Sequence, residues 1–175
     1  MAIFISHASS DNHIAATVFN RLESYHHIDC YLDDIDTRLR SMRGSSELTA
    51  YLVGIIKKHD TVLAVVTRNT QQSWWVPFEI GTAREIPRII TSYTDLPEPT
   101  PGNYFGTLPE YLLEWPRLRS QKEIDVFAEK YKERQRLQER EKDFSDRLYK
   151  DVPRWESPRE FERNLMETLN QRSVI

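Results

Sequence analysis

The sequence predicts an α/β fold with a parallel, five-stranded sheet that is covered by helices on both faces. Three observations carry this prediction. Patterns typical of strands and of amphipathic helices alternate four times, as in consecutive βαβ units. The segment Thr61–Thr67 (TVLAVVT) is rich in β-branched residues and apolar on both faces, which is typical of a central strand in a parallel sheet. The length of 175 residues is that of one domain with at most a short appendage.

The first half of the chain supplies the first two strand and helix pairs. The apolar run Ala2–Ser6 predicts a strand, and the polar capping residues that end at Asp11 predict the start of a helix. Apolar residues then recur every three or four positions, so this helix should continue to about Tyr25. A second strand at residues 29–32 and a second helix, which Ser45 or Ser46 caps and which ends near residue 59, follow.

The second half continues the alternation beyond the central strand. Ser73 is predicted to cap a third helix, in which Pro77 is tolerated only within the first turn. A fourth strand is predicted at Arg88–Ser92. The proline and glycine content of Leu96–Gly106 indicates a loop, and Tyr111–Trp115 is predicted as a weaker fifth strand.

The end of the chain differs in character from the rest. We predict a domain over residues 1–120 and a charged helical extension over residues 121–175 that packs on this domain or continues it. Residues 121–150 hold nine basic and eight acidic side chains around a narrow apolar stripe, which is typical of a solvated helix. Ser157 and Pro158 then predict the start of a final helix. We expect no catalytic group in this extension.

Composition excludes several classes of function. The 27 acidic and 24 basic side chains give a net charge of −3, which argues against binding to nucleic acid. The longest aliphatic run, Val62–Val66, is too short to span a membrane, and the first residues lack the basic flank of a signal peptide. The single cysteine, Cys30, excludes an intramolecular disulfide and is expected in the core. We therefore expect a cytoplasmic protein with neither nucleic acid nor a membrane as its partner.

Several sequence motifs that mark cofactor, metal or nucleophile sites are absent. The chain contains no GxGxxG, Walker A, HExxH or GxSxG pattern. Its five histidines include no helical i,i+4 pair, and His26–His27 is interpreted as a polar turn rather than a metal site. We therefore expect no metal and no resident cofactor.

Ligands of parallel α/β sheets bind beyond the carboxyl ends of the strands. Three segments meet there in the predicted fold: Ser6–Ser10, Asp33–Gly44 and Thr67–Glu79. The second is a polar loop with three aspartates and three arginines, and compact domains seldom keep such a loop unless it has a function. The alternative is an ordinary solvated surface loop.

The most concentrated candidate site is the segment Ser73–Glu79 (SWWVPFE). Trp75 and Glu79 are four residues apart, so they should lie on one side of the helix start, with Glu79 in the first turn. An aromatic face beside a carboxylate suits a flat, cationic ring. The alternative is that Trp74, Trp75 and Phe78 are core aromatics and that Glu79 is an ordinary acidic residue of a first helical turn.

Two of these segments resemble a known family. Ile3–Asp11 (IFISHASSD) resembles the opening strand and loop of TIR domains, whose prokaryotic members commonly read F-I-S-H-S-S-x-D. Trp75–Glu79 (WVPFE) is similar to the W-x-x-x-E motif of their catalytic helix. The likeness covers about residues 3–115. It implies a flavodoxin-like sheet and, in the enzymatic branch of the family, cleavage of the bond between nicotinamide and ribose in NAD.

The resemblance also implies roles for individual residues. Glu79 corresponds to the catalytic glutamate, and Trp75 is expected to shape the nicotinamide end of the pocket. Backbone N–H groups of the loop after the first strand are expected to bind the diphosphate. NAD would be a substrate here, so no cofactor is implied. The other substrate-binding candidates are Ser6, His7, Ser9 and Asp33.

The sequence departs from the family pattern at the phosphate contacts. Some TIR NADases carry arginines where this chain has Ala8 and Ser9. Neutralisation of the phosphates would then fall to Arg38, Arg40 or Arg43. The loop that holds these arginines corresponds to the family's BB loop, which packs on a neighbouring TIR domain in active assemblies. We therefore expect a homo-oligomer formed through TIR–TIR contacts, with Arg38 and Arg43 at the contact.

The function implied is that of a stand-alone bacterial TIR enzyme that converts NAD to nicotinamide and either ADP-ribose or a cyclic ADP-ribose-type signal. In the family, short proteins of this type often act in antiviral defence, as in Thoeris systems, where the product activates a separate effector. The alternatives are a non-catalytic TIR adaptor that acts through homotypic contacts and an enzyme similar to nucleoside deoxyribosyltransferases.

Overall fold

The structure, a computed structural model, describes residues 1–32, 45–86, 88–102, 107–145 and 156–172. Within these ranges the chain forms a parallel sheet in the order β2-β1-β3-β4-β5. This order and the helices on both faces confirm the predicted α/β, flavodoxin-like fold. The strands are β1 (Ile3–Ser6), β2 (Cys30–Leu32), β3 (Thr61–Val66), β4 (Ile89–Thr94) and β5 (Arg117–Leu118).

Five helices connect and cover the described strands. Helix α1 (Asn12–Asn20) continues into a π-helical turn at Arg21–Tyr25, so the predicted helix to about Tyr25 is confirmed. Of the described helices, none is long and apolar enough to cross a membrane. The other four helices are α2 (Ser45–Lys58), α3 (Trp75–Arg84), α4 (Gln121–Ser145) and α5 (Pro158–Arg172).

The two faces of the sheet bury different sets of side chains. Strand β3 is buried along its whole length, as predicted for a central strand, and successive residues point to opposite faces. On one face Ile3, Ile5, Leu63 and Val65 pack against α1, α4 and α5. On the other face Phe4, Val62, Ala64 and Val66 pack against α2 and α3 through Ile56, Val76 and Ile80.

The predicted position of the fifth strand is wrong. Residues Glu110–Glu114 form a 3₁₀ helix after Pro109, and the strand comes later, at Arg117–Leu118. The backbone N–H of Leu112 donates to the carbonyl of Pro109 at 3.0 Å, which closes the helical turn where a strand was expected. A two-residue edge strand is too short to show a hydrophobic alternation, so its sequence offered no detectable pattern.

Helices α4 and α5 complete the core on the first face. Phe127, Tyr131 and Phe161 are almost completely buried in the same cluster as β1 and β3. Helix α5 begins as predicted after Ser157, whose N–H donates to the carboxylate of Glu160 at 2.8 Å. The hydroxyl of Ser157 accepts in return from the N–H of Glu160 at 3.3 Å, which is a capping box. The boundary at residue 120 stays a prediction.

Candidate active site

Ser6 and Glu79 meet at the carboxyl edge of the sheet. Ser6 is the last residue of β1, and Glu79 lies on α3, which follows β3. The hydroxyl of Ser6 donates a hydrogen bond to Oε2 of Glu79 across 73 residues of sequence. Both side chains are buried, with Glu79 only 1% exposed. Two of the residues predicted for the site are therefore in direct contact.

The local sequence explains how both side chains reach this point. Phe4 and Ser6 alternate with Ile3 and Ile5, so Ser6 points to the face that α3 covers. Residues at i, i+3, i+4 and i+7 of α3 form its buried stripe, and Glu79 is the one charged residue in it. The other members of this stripe are Val76, Ile80 and Ala83.

A carboxylate in such a stripe is costly to keep without a compensating interaction. Burial of an ionised carboxylate is unfavourable by several kcal/mol unless hydrogen bonds offset it. The contact with Ser6 is one such interaction. Charged groups kept in buried positions at the edge of a sheet are typical of functional sites, although structural ion pairs also occur there. The position of Glu79 is therefore that of a candidate catalytic group.

The predicted placement of Glu79 in the first turn of its helix is wrong by one turn. Helix α3 begins at Trp75 with Trp74 at the N-cap, so Glu79 is its fifth residue. The field of a helix N-terminus falls off within the first turn, and Ser6 provides the local polar contact instead. Pro77 lies in the first turn, as predicted. The hydroxyl of Ser73 lies one residue before the cap and accepts from the N–H of Val76 at 3.4 Å.

Asp11 joins the loop after β1 to the loop after β3. It is fully buried, and its carboxylate accepts hydrogen bonds from the hydroxyl of Thr67 and the amide of Asn69, both at 2.7 Å. Asp11 occupies the N-cap position of α1, but its side chain makes no capping bond there. The sequence analysis predicted Asp11 as one of the capping residues of the first helix and gave it no role in the site. Its separation from Thr67 by 56 residues left no local signal.

The other candidates in the loop after β1 have different environments. His7 is half-buried, and its Nε2 lies 2.6 Å from Oδ1 of Asn12. Since Oδ1 can only accept, Nε2 must carry the proton in this contact. Ser9 is exposed in a short 3₁₀ turn at Ser9–Asp11. The roles of His7 and Ser9 in substrate binding stay predictions.

The three aromatic residues of the α3 start divide into two environments. Trp75 and Phe78 are half-buried against Leu48 and Leu52 of α2, with their ring centroids 6.0 Å apart in an edge-to-face contact. Trp74 is 90% exposed. The alternative that all three are core aromatics is therefore wrong for Trp74. Helix packing accounts for the half-buried state of Trp75, and its role at the nicotinamide end stays a prediction.

Four of the predicted polar residues lie outside the described part of the chain. They are Asp33, Arg38, Arg40 and Arg43. Strand β2 ends at Leu32, immediately before them. The substrate-binding role of Asp33 and the assembly role of Arg38 and Arg43 therefore stay predictions.

A small cavity lies beside this edge, between the ends of β3 and β4 and the start of α3. Its volume is about 100 Å³, and Thr67, Ser73 and Ile80 contribute to its lining. Ligand pockets usually measure about 300–1,000 Å³. This cavity is therefore too small to hold a dinucleotide unless the edge opens.

The described residues offer neither a metal cluster nor an activated thiol. No group of three or more histidine, cysteine, aspartate or glutamate side chains in the described ranges could hold a metal ion. Cys30 is half-buried against the first core cluster. Burial raises the pKa of its thiol to about 12, with smaller contributions from Glu23 and Asp29. A thiol with this pKa is protonated at neutral pH and is a poor nucleophile.

The fold and the site define a class of protein: a parallel α/β domain of flavodoxin-like order with a hydrogen-bonded glutamate beneath the carboxyl edge of its sheet. Comparison with protein families gives the particular family. The model of the TIR domain matches residues 3–138, which is well over half of the chain. The chain belongs to the TIR domain family. A comparison with curated proteins found no match.

Proposed function

We propose that this TIR domain is an enzyme that cleaves the bond between nicotinamide and ribose in NAD. The observation that carries the proposal is the buried pair of Ser6 and Glu79 at the carboxyl edge of the sheet. Its products would be nicotinamide and either ADP-ribose or a cyclic ADP-ribose-type molecule. Membership of the TIR family supports the proposal, since TIR domains include enzymes of this class.

A single carboxylate is sufficient for this chemistry. Nicotinamide leaves NAD as a neutral ring, because the electron pair of the breaking C–N bond neutralises the charge of the pyridinium nitrogen. The leaving group therefore needs no proton, unlike the alcohol released by an ordinary glycosidase. The carboxylate of Glu79 would stabilise the positive charge that develops on the ribose, and Ser6 would hold it in position. Water then bonds to the anomeric carbon and releases a proton to solvent; in a cyclisation, a nitrogen of the same molecule bonds there instead.

Because Glu79 is buried, the proposal also has to explain how a substrate reaches its carboxylate. With 1% of the residue exposed, the carboxylate cannot reach a substrate until the edge around Ser6 opens. We propose that self-association through TIR–TIR contacts produces this opening. Activity per molecule should then rise with protein concentration, and charge reversal at Arg38 or Arg43 should weaken the rise. Flat specific activity over a wide range of dilution would count against the role of assembly.

The experiment that tests the proposed reaction follows NAD by mass spectrometry at several protein concentrations. Glu79→Gln keeps the size of the side chain and removes its charge, so release of nicotinamide should fall at least about a hundredfold. The matched control is Glu129→Gln, which removes an exposed carboxylate from α4. Thermal melting shows whether each variant folds. A Glu79→Gln protein that melts normally and still releases nicotinamide within a few-fold of the parent would falsify the catalytic assignment.

A second candidate function is that of a non-catalytic adaptor that binds other TIR domains. The 90% exposure of Trp74 favours it, because tryptophan is strongly enriched among the residues that dominate binding energy at protein interfaces. NAD that stays intact at high protein concentration, while Trp74→Ala weakens self-association, would support the adaptor over the enzyme.

The proposal also includes the cellular location and the biological role of the enzyme. A single cysteine without a CxxC pattern is typical of a reducing compartment, and we place the enzyme in the cytoplasm. We propose a role in bacterial antiviral defence in which the nucleotide product activates a separate effector. The identity of the product, resolved in the mass-spectrometric experiment, decides between a cyclic signal and simple consumption of NAD.

A further inference from the structure

A second, larger cleft opens at the opposite edge of the sheet. It lies at the amino end of β4 and has a volume of about 650 Å³, within the range of about 300–1,000 Å³ that is usual for small-molecule sites. Its walls are the last turn of α3, the end of the 3₁₀ helix before β5, and the first half of α5. Glu79 and Ser6 take no part in its lining, so the cleft is separate from the candidate active site.

Four arginines and three glutamates line this cleft. Arg159 and Arg163 lie four residues apart on α5, so they present two exposed guanidinium groups on one side of the helix. Within the described ranges neither has a carboxylate within 4.0 Å. Two further arginines, Arg84 and Arg88, line the cleft. Among the described residues, the ion pair of Arg84 is a long, exposed one with Glu114, at 3.7 Å.

The acidic residue of the lining that lies between the two α5 arginines in sequence is bound to the backbone. Glu162 is 7% exposed, and its Oε1 accepts a hydrogen bond from the N–H of Ile90 at 2.8 Å. Burial raises the pKa of this carboxyl to about 7, so it carries only part of its charge near neutral pH. The other carboxylates of the lining, Glu85 and Glu114, are exposed at the far wall. Among the residues that line the cleft, α5 therefore contributes two exposed arginines and one buried carboxyl group that is bound to the backbone.

The base of the cleft is apolar. Trp115 and Ile90 are 8% and 3% exposed, and Met166 lies beside them, one turn along α5 from Glu162. Little of Trp115 is accessible, but its indole and the half-buried Met166 give this part of the lining an apolar surface, and such side chains pack favourably against a flat ring. The cleft thus joins a cationic wall to an aromatic and aliphatic base.

We propose that this cleft is a binding site for a small molecule that carries an anionic phosphate or carboxylate on a flat, apolar ring. Arg159 and Arg163 bind the anion, because guanidinium groups form paired hydrogen bonds to such oxygens. The ring lies against Trp115 and Met166. The proposal concerns binding alone and does not depend on the proposed reaction with NAD.

The experiment titrates phenyl phosphate into the full chain and follows the indole N–H signals by NMR. The chain has four tryptophans, of which Trp115 reports on the cleft and Trp74 and Trp75 on the other edge. We expect a saturable shift at Trp115 with a Kd of about 1 mM or lower for a fragment of this size. Benzoate in place of phenyl phosphate distinguishes a carboxylate ligand from a phosphate ligand, and inorganic phosphate and phenol alone should each bind at least several-fold more weakly.

A charge-matched pair of variants provides the control. Arg159→Glu with Arg163→Glu should weaken binding at least about tenfold, whereas Arg136→Glu with Arg172→Glu, at exposed positions outside the cleft, should not change it. If the first pair impairs folding in a melting experiment, Arg159→Gln with Arg163→Gln replaces it. The proposal is wrong if Trp115 shows no saturable shift at about 20 mM ligand, if only Trp74 or Trp75 responds, or if both pairs of variants bind equally.

Discussion

The two faces of the sheet bury different sets of side chains. The face covered by α1, α4 and α5 holds a continuous cluster with three large aromatic residues at its centre, Phe127, Tyr131 and Phe161. At its rim Arg21 forms two hydrogen bonds of 2.7 Å to Asp125, and His26 forms a third at 2.8 Å. Mainly through Arg21, these contacts hold the pKa of Asp125 down at about 2.

Helices α4 and α5 also carry buried charged residues, Arg134 and Glu162, which are 4% and 7% exposed. The face covered by α2 and α3 differs because its buried carboxyl group, Glu79, lies at the carboxyl edge of the sheet. Its strand residues are mostly smaller, and the buried side chains of Ser6 and Glu79 meet beside this cluster at the carboxyl edge of the sheet. Strand β1 contributes to both faces, with Ile3 and Ile5 on the first and Ser6 on the second. The comparison teaches that the first face has the larger apolar cluster, whereas the second keeps, at the carboxyl edge, a polar pair whose burial is unfavourable.

The largest expected effect is a loss of stability on the face covered by α1, α4 and α5. Phe127→Ala removes a fully buried ring from the first cluster, and the cavity should lower the free energy of unfolding by about 3–5 kcal/mol. Urea unfolding measures this change, with Glu129→Ala on the exposed side of α4 as the control. A loss below about 1 kcal/mol would mean that α4 contributes little to the core.

Asp11 tests the connection between the two loops at the carboxyl edge. Asp11→Asn places an amide against the donors of Thr67 and Asn69, so we expect a loss of about 2–3 kcal/mol in the free energy of unfolding. Asp95→Asn, at an exposed position, should change it by less than about 0.5 kcal/mol. Equal effects of the two substitutions would contradict the structural role of Asp11.

A substitution of Ser6 tests whether its hydroxyl positions Glu79 for catalysis. Ser6→Ala removes the hydroxyl that holds Glu79, and we expect about a tenfold fall in kcat for nicotinamide release with little change in KM. This is a smaller effect than that of Glu79→Gln, because the charge itself remains. A change confined to KM would indicate that Ser6 contacts the substrate rather than positions the glutamate.

The smallest expected effect is a dependence of stability on pH. The pKa of Glu162 rises from 4.5 to about 7 on folding, chiefly through burial, so the folded protein holds a proton that the unfolded chain has lost. The stabilising contribution of Glu162 to the free energy of unfolding is therefore complete below pH 4.5, and it is lost as the pH rises toward 7. Glu162→Gln stays neutral at all pH values and should be more stable than the parent at pH 8, by about 1–2 kcal/mol, with the difference disappearing at pH 4.

Urea unfolding of both proteins across this range of pH provides the measurement. If the free energies of unfolding of Glu162→Gln and the parent differ by the same amount from pH 4 to pH 8, the carboxyl of Glu162 does not titrate with a raised pKa.

The sequence by itself determined the elements with strong periodicity. The apolar, β-branched run of β3 and the three- to four-residue spacing of α1 and α5 are local patterns, and each formed as predicted. The two motifs at Ile3–Asp11 and Trp75–Glu79 also indicated the family and one edge of the sheet, because the carboxyl ends of neighbouring parallel strands lie together.

Only the tertiary structure decided which side chains meet. The hydrogen bond between Ser6 and Glu79 and the two bonds of Asp11 join residues more than 50 positions apart, so they depend on the order of strands and the register of β1 against β3. The two-residue strand β5 and the arginine-lined cleft depend on how α5 and the 3₁₀ helix before β5 pack at the sheet edge. Periodicity in a sequence reports which face of an element is buried, and it contains no information about which distant residue lies opposite.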